Sequence, residues 1–321
     1  MQLATIDWII IGVYFLVVLL IGVWVAKVAG KNSGEFFLGG RGMPWWLLGF
    51  SMVATTFSTD TPNLVTDIVR QNGVAGNWVW WAFLITGMVT VFLYAKLWRR
   101  TEVLTDIEFY EIRYSGKSAA FLRGFRAIYL GVFFNIMIMA SVSLAAIKIG
   151  GVMFGLEPWH CIVWASLATV IFSSLGGFRG VVFTDFLLFI MALGGSVAAA
   201  YFALGHADVG SLKGLLANPN IADKLSFFPA VERDASGAMT EGNLNLWMTL
   251  IGIPLVVQWW SVWYPGAEPG GGGYVAQRML AAKDERHATG AVLFFNFAHY
   301  GLRPWPWILV ALASLVVFPM D

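Results

Sequence analysis

The sequence predicts an all-α integral membrane protein of about eight transmembrane helices, and three observations predict it. Composition is the first: 58% of the 321 residues are hydrophobic, 12% are charged, and the mean hydropathy is +0.71. A soluble domain carries about 25% charged residues, and no water-facing fold of this size hides so much apolar surface. Spacing is the second. Apolar stretches of roughly the 20 residues that a bilayer core requires fall near 7–27, 44–69, 78–97, 127–154, 159–176, 181–204, 246–276 and 289–318. The third is that two of these stretches are interrupted by residues that cannot continue a helix.

The first stretch is read as a retained helix. A secretory signal carries positive charge ahead of its apolar run, whereas here Asp7 precedes the run and Lys27 and Lys31 follow it. The segment 205–245 is the one long extramembrane loop past the middle of the chain, within a single transmembrane domain covering 1–321. Lysine and arginine bias in the loops sets orientation. Fourteen of the 20 basic residues fall on one side, among them the seven from Lys96 to Arg126 and the three at Arg278, Lys283 and Arg286. Only Arg70, Lys213, Lys224 and Arg233 fall on the other, while Lys148 and Arg303 lie inside spans. The rich side is expected in the cytoplasm of a multi-pass cell-membrane protein, with the N-terminus outside.

The second span carries Ala54-Thr55-Thr56-Phe57-Ser58-Thr59-Asp60-Thr61-Pro62. A carboxylate at mid-membrane costs about 2.5–3.5 kcal/mol, so Asp60 is expected to face water, protein or a cation. Pro62 has no N–H for the carbonyl of Ser58, and nearby hydroxyls can satisfy broken backbone groups. Unwound backbone at that depth can coordinate an ion. The alternative is a kinked structural helix with Asp60 capping its second half. The seventh span runs through Gln258-Trp259-Trp260-Ser261-Val262-Trp263-Tyr264 into two prolines and five glycines within residues 265–273. The aromatic residues fit either a substrate wall and gate or an interfacial belt. The glycine run is no phosphate loop, since no Gly-Lys-Ser/Thr follows it. Interrupted helices five spans apart point to a five-plus-five inverted repeat with a midplane site.

Several function classes drop out. A net charge of +1 does not suit nucleic acid, and one cysteine, Cys161, excludes an internal disulfide and a cysteine-based metal site. The four histidines, His160, His206, His287 and His299, lack metal-ligand spacing, and no Gly-x-Ser-x-Gly elbow is present. No enzyme reading survives.

Four stretches in order carry a resemblance: Phe36-Phe37-Leu38-Gly39-Gly40-Arg41, the segment from Leu104 to Tyr114 with Glu108-Phe109, Ser174-Leu175-Gly176-Gly177-Phe178-Arg179-Gly180 followed by Thr184-Asp185, and Tyr274-Val275-Ala276-Gln277-Arg278. From about residue 5 to its end the chain resembles the sodium:solute symporter family, which includes bacterial proline and sugar symporters. The signature stretch departs from the family at Phe172, Gly180 and Leu188.

The resemblance implies a LeuT-type core that takes up a small solute with sodium by alternating access. Carbonyls of Ala54 and Phe57, with Thr56 and Ser58 beside them, would hold sodium; Asp185, with Asp60, would lie on the ion path. Trp259 and Trp263, with Gln258 and Trp80, would contact solute or gate it. Sugar carriers use a polar position that here falls in Trp78-Val79-Trp80-Trp81, which speaks against a sugar. Arg303, inside the last span, suits either a cationic subsite for a carboxylate-bearing solute or a snorkelling or ion-paired residue. Family members continue for several more helices, including one with the facing half of the sodium site. The resemblance therefore implies that residues 1–321 are a C-terminally truncated piece whose partners include the missing helices. That piece is expected to insert into a bilayer while neither binding sodium tightly nor catalysing uptake. A membrane sensor built on the same helices is the alternative from another class; a channel, which needs no paired breaks, fits less well.

Overall fold

The computed structural model describes residues 4–58, 60–260 and 270–319, and every regular element among them is helical. In chain order the main helices are α1 (Thr5–Ala29), α2 (Ser33–Leu38), α3 (Trp45–Thr55), α4 (Asp60–Asn72), α5 (Val74–Thr101), α6 (Gly116–Phe154), α7 (Pro158–Leu204), α8 (241–256), α9 (Gly273–Leu280) and α10 (Glu285–Val317). Five of them, α1, α5, α6, α7 and α10, are long and apolar enough to cross a bilayer. In lipid only a helix satisfies every backbone N–H and C=O within its own segment, and these apolar runs have no competing way to fold.

Helix α7, with 47 residues, would stretch about 70 Å if straight, twice what a bilayer needs. It is broken at Gly177, whose φ of 52° and ψ of −158° are not helical. The break separates the two spans expected at 159–176 and 181–204. Only glycine fits there comfortably: φ is positive, and a Cβ would come within 3.0 Å of the Phe36 carbonyl oxygen. With α7 counted as two, the long apolar helices cover six of the eight expected spans; α3 and most of α4 fall within the expected 44–69, and most of α8 within the expected 246–276. The interruptions fall where the sequence places them. Helix α3 ends at Thr55 and α4 begins at Asp60, while α8 stops at Val256, a 3-10 turn covers Gln258–Trp260, and helix resumes at Gly273. Residues 261–269, Trp263 among them, lie outside the described residues.

The chain divides into two compact units. The first comprises Met1–Asp60, Thr90–Phe189 and Pro265–Phe295. Its helices meet through small residues and aromatic rings, since lipid leaves close packing as the main attraction between helices. Gly176 sits on Gly22 of α1, where an added Cβ would lie 3.4 Å from the Gly22 Cα. The ring of Phe50 on α3 packs against Phe186 and Phe189 of α7 and Phe294 of α10, at centroid distances of 5.1, 4.8 and 4.7 Å. Polar contacts tie its loops together. Glu35 pairs with Arg179 at 3.4 Å, Arg100 with Glu285 at 2.6 Å, and Arg99 Nε donates to the Ala282 carbonyl at 2.7 Å.

The second unit comprises Thr61–Val89, Ile190–Tyr264 and Asn296–Asp321. In it the segment 205–245 is an ordered cap. Leu215 and Ile221 are fully buried, and Lys224 Nζ donates to the Gln71 carbonyl at 2.9 Å. Phe227 stacks on Trp81 and Phe228 on Trp78, at 4.8 and 5.5 Å.

Candidate functional site

The first interruption is built from short local bonds. At the end of α3 the N–H groups of Thr56 and Phe57 donate to the carbonyls of Val53 and Ala54, at 3.0 and 2.9 Å, and the Thr56 hydroxyl donates to Val53 at 2.7 Å. The Ser58 hydroxyl donates to the Asp60 carboxylate, which sits in the first turn of α4, where the helix dipole favours negative charge. Ala54 and Thr56 are buried, while Phe57, Ser58 and Asp60 are half-buried. The residues expected to hold sodium thus straddle the end of α3, with Ala54 in its last turn and Thr56, Phe57 and Ser58 just beyond it.

One turn earlier on α3, Ser51 and Thr55 stand four residues apart and share a helix face. That face meets Asp185, on the second half of α7, and Arg278, on α9. The Ser51 hydroxyl donates to Asp185 Oδ2 at 2.5 Å. Arg278 donates from Nε to Ser51 Oγ at 2.8 Å, and from Nη2 to Thr55 Oγ1 at 2.6 Å and to Asp185 Oδ2 at 3.2 Å. Its Nη1 donates to the Tyr274 carbonyl at 3.2 Å, and the Phe178 and Tyr274 rings flank the guanidinium at 5.7 Å each. Asp185 is 7% exposed and Arg278 3%. Arg278, counted with the loop charges in the sequence, lies inside the first unit as the counter-ion of a buried carboxylate. The Gly270–Gly273 run helps to place it. Gly270 N–H donates to Thr90 Oγ1 and Gly273 N–H to Asp106 Oδ2, both at 3.0 Å, which anchors the start of α9.

In the second unit, Trp80 stacks on Tyr300 at 5.7 Å with an interplanar angle of 23°, and its Nε1 donates to Asn77 at 2.9 Å. His299 lies 6.2 Å from Trp80 edge-on, and its Nε2 is 3.4 Å from Nη2 of Arg303. Arg303 is 2% exposed, with its guanidinium 5.3 Å above the Trp307 ring. Trp80 and Arg303 are therefore brought together through His299 and Tyr300, which the sequence did not single out. Gln258 Nε2 donates to the Val79 carbonyl at 3.2 Å, and the Thr86 hydroxyl donates to the Trp259 carbonyl. A cavity of about 630 Å³ in the first unit, bordered by Trp98, Tyr110 and Arg126, touches none of the residues expected to form a site.

These features define a multi-pass helical membrane protein with two discontinuous spans and buried polar residues beside them. The model of the sodium:solute symporter family matches residues 36–298, and the chain belongs to that family. It is 28% identical to the rabbit (Oryctolagus cuniculus) sodium/glucose cotransporter 1, over 96% of this chain and 46% of that protein. To the sodium/glucose cotransporter of Vibrio parahaemolyticus it is 24% identical, over 98% of this chain and 56% of that one. To the sodium/sialic acid symporter SiaT of Proteus mirabilis it is 25% identical, over 68% and 42%. The chain spans about half the length of the curated relatives it matches. A solved Na+-coupled sialic acid symporter, in a substrate-bound outward-open state, superposes with a TM-score of 0.71 at 18% identity, covering 98% of this chain and 61% of that one. The chain shares its fold with the corresponding part of that structure.

Proposed function

We propose that the chain forms the core of a sodium-coupled secondary active transporter that takes up a small polar solute by alternating access. The observation that carries this reading is the interrupted second span in a member of the sodium:solute symporter family. It sets the carbonyls of Ala54 and Phe57 and the hydroxyls of Thr56 and Ser58 at the break, next to Ser51 and Thr55, whose hydroxyls bond the buried carboxylate of Asp185. Sodium is the coupling ion, bound by the residues at the break, with Asp185 and Asp60 on its path. A transported ion sheds most of its water, so carbonyl, hydroxyl and carboxylate oxygens must replace it. Trp80, Gln258, Trp259 and Trp263 contact or gate the solute.

Relatives are named as glucose and sialic acid carriers; since the Trp78–Trp81 segment speaks against a neutral sugar, sugar acids are the first solutes to try. Arg303, held between His299 and Trp307, favours the acids, because a guanidinium binds carboxylate in a charge-assisted pair. The fourteen-residue basic side is cytoplasmic and the N-terminus external. The test is uptake of labelled solutes into liposomes containing the protein, under an inward sodium gradient and under an equal potassium gradient. With the whole protein that carries this chain in the liposomes, saturable uptake with sodium alone is expected; equal uptake in both would mean that no sodium coupling exists.

A further inference from the structure

Asp185, Ser51 and Thr55 present one carboxylate and two hydroxyl oxygens to a single point, a donor set that suits a small hard cation. The cation at that point is the guanidinium of Arg278, which bonds all three. We propose that Arg278 is a tethered competitor for the ion at Asp185: guanidinium and sodium take that position alternately, and Arg278 refills it when the ion leaves. The inference rests on the sodium-symport reading and adds to it a residue and a step.

Three observations support the exchange. A buried carboxylate stripped of its partner is costly, because it leaves an uncompensated charge in a medium that solvates it poorly. A carrier whose ion departs from Asp185 therefore needs a replacement cation, and Arg278 already lies 3.2 Å away. The guanidinium also has somewhere to go. A cavity of about 300 Å³ borders it, lined by the hydroxyl-bearing Ser173 and Ser174, the Gln277 amide and Phe36. Finally, Thr55 is exposed although Asp185 and Arg278 are not, so the cluster has an opening at the α3 end, where the first interruption begins. An ion arriving there meets Thr55 first and Asp185 next.

A residue that only braces the fold and one that competes with sodium give opposite results when the charge is removed. In liposomes containing the whole protein that carries this chain, the sodium dependence of solute uptake and the binding of radioactive sodium should be measured for the unaltered protein, Arg278→Gln and Arg278→Lys. Competition predicts that Arg278→Gln lowers the half-saturating sodium concentration by about tenfold or more and slows sodium release. Arg278→Lys, which keeps the charge but loses the planar fork, should fall between Gln and the unaltered protein. A half-saturating concentration that is unchanged or raised in Arg278→Gln overturns the inference and leaves the symport reading intact. If Arg278→Gln does not fold, Arg278→Lys decides by the same sign. No sodium dependence in the unaltered protein would overturn the symport reading and the inference together.

Discussion

Asp185 stands on a membrane-crossing helix with 7% of its surface exposed, and at that depth a charge must have company. The structure supplies it from Ser51, Thr55 and Arg278, residues 51 to 278 in the chain gathered around one oxygen atom. Asparagine at 185 keeps the size and the acceptor for Ser51 but removes the charge. Asp185→Asn is expected to cut sodium-driven uptake at least about tenfold, by the scale of a lost charged hydrogen bond, and to flatten its sodium dependence at normal expression. Unaltered sodium dependence would remove Asp185 from the ion path. Arg303→Gln tests the other buried cation: uptake of carboxylate-bearing solutes should fall while uptake of neutral ones persists, and equal loss in both panels would make Arg303 structural. Asp185 was legible in the sequence because a carboxylate in an apolar run stands out. Arg278 was not, because it follows a glycine run beside Lys283 and Arg286, where its charge reads as one more loop residue. The pairing of Trp80 with His299 and Tyr300 was equally hidden, since two hundred residues separate them and neither carries a motif.

Among the elements, the broken helices were the most legible. Prolines, glycines and clustered hydroxyls at 54–62 and 265–273 forecast interruptions, and helices end at Thr55 and Val256 on the near side of each. The double glycine of the signature stretch acquires two separate reasons: Gly176 lets α7 touch Gly22 of α1, and Gly177 turns the chain with a positive φ. Replacing Gly176 by Leu inserts a side chain where backbones meet and should destabilise the first unit by about 1–3 kcal/mol, seen as a lower melting temperature in detergent. An unchanged melting temperature would show that the contact is not tight. Helix α10 begins with a cap: Asp284 Oδ1 accepts from the His287 N–H at 2.8 Å, and that bond holds the Asp284 carboxyl below the usual carboxylate range. A depressed folded value means that the cap contributes fully above the unfolded pKa of about 3.9. Its contribution is lost as pH falls through the lower folded value. Asp284→Ala should remove this acid-side dependence, and Asp284→Asn should retain the cap without it, as read from melting temperatures between pH 3 and pH 7.

For the whole molecule, loop charge gives a sidedness that can be checked directly. Single cysteines in 99–126 and in 205–245, introduced into a Cys161→Ser background, should differ in their reaction with an impermeant thiol reagent added outside cells. The 205–245 positions are expected to label and the 99–126 positions to remain protected; the reverse pattern would invert the topology. Contacts within the first unit, Arg99 with Ala282, Arg100 with Glu285 and Glu35 with Arg179, join loops that the charge bias places on one side. Family membership, the interrupted spans and the buried carboxylate together make coupled movement of ion and solute the central claim. Its most direct test is the flux of radioactive sodium into liposomes containing the whole protein that carries this chain, with no membrane potential, measured with and without a transported solute outside. Coupling predicts that the solute accelerates sodium entry, in a fixed ratio to its own entry, and that Asp185→Asn abolishes the acceleration. Sodium entry that is indifferent to solute, with solute entry indifferent to sodium, would contradict it.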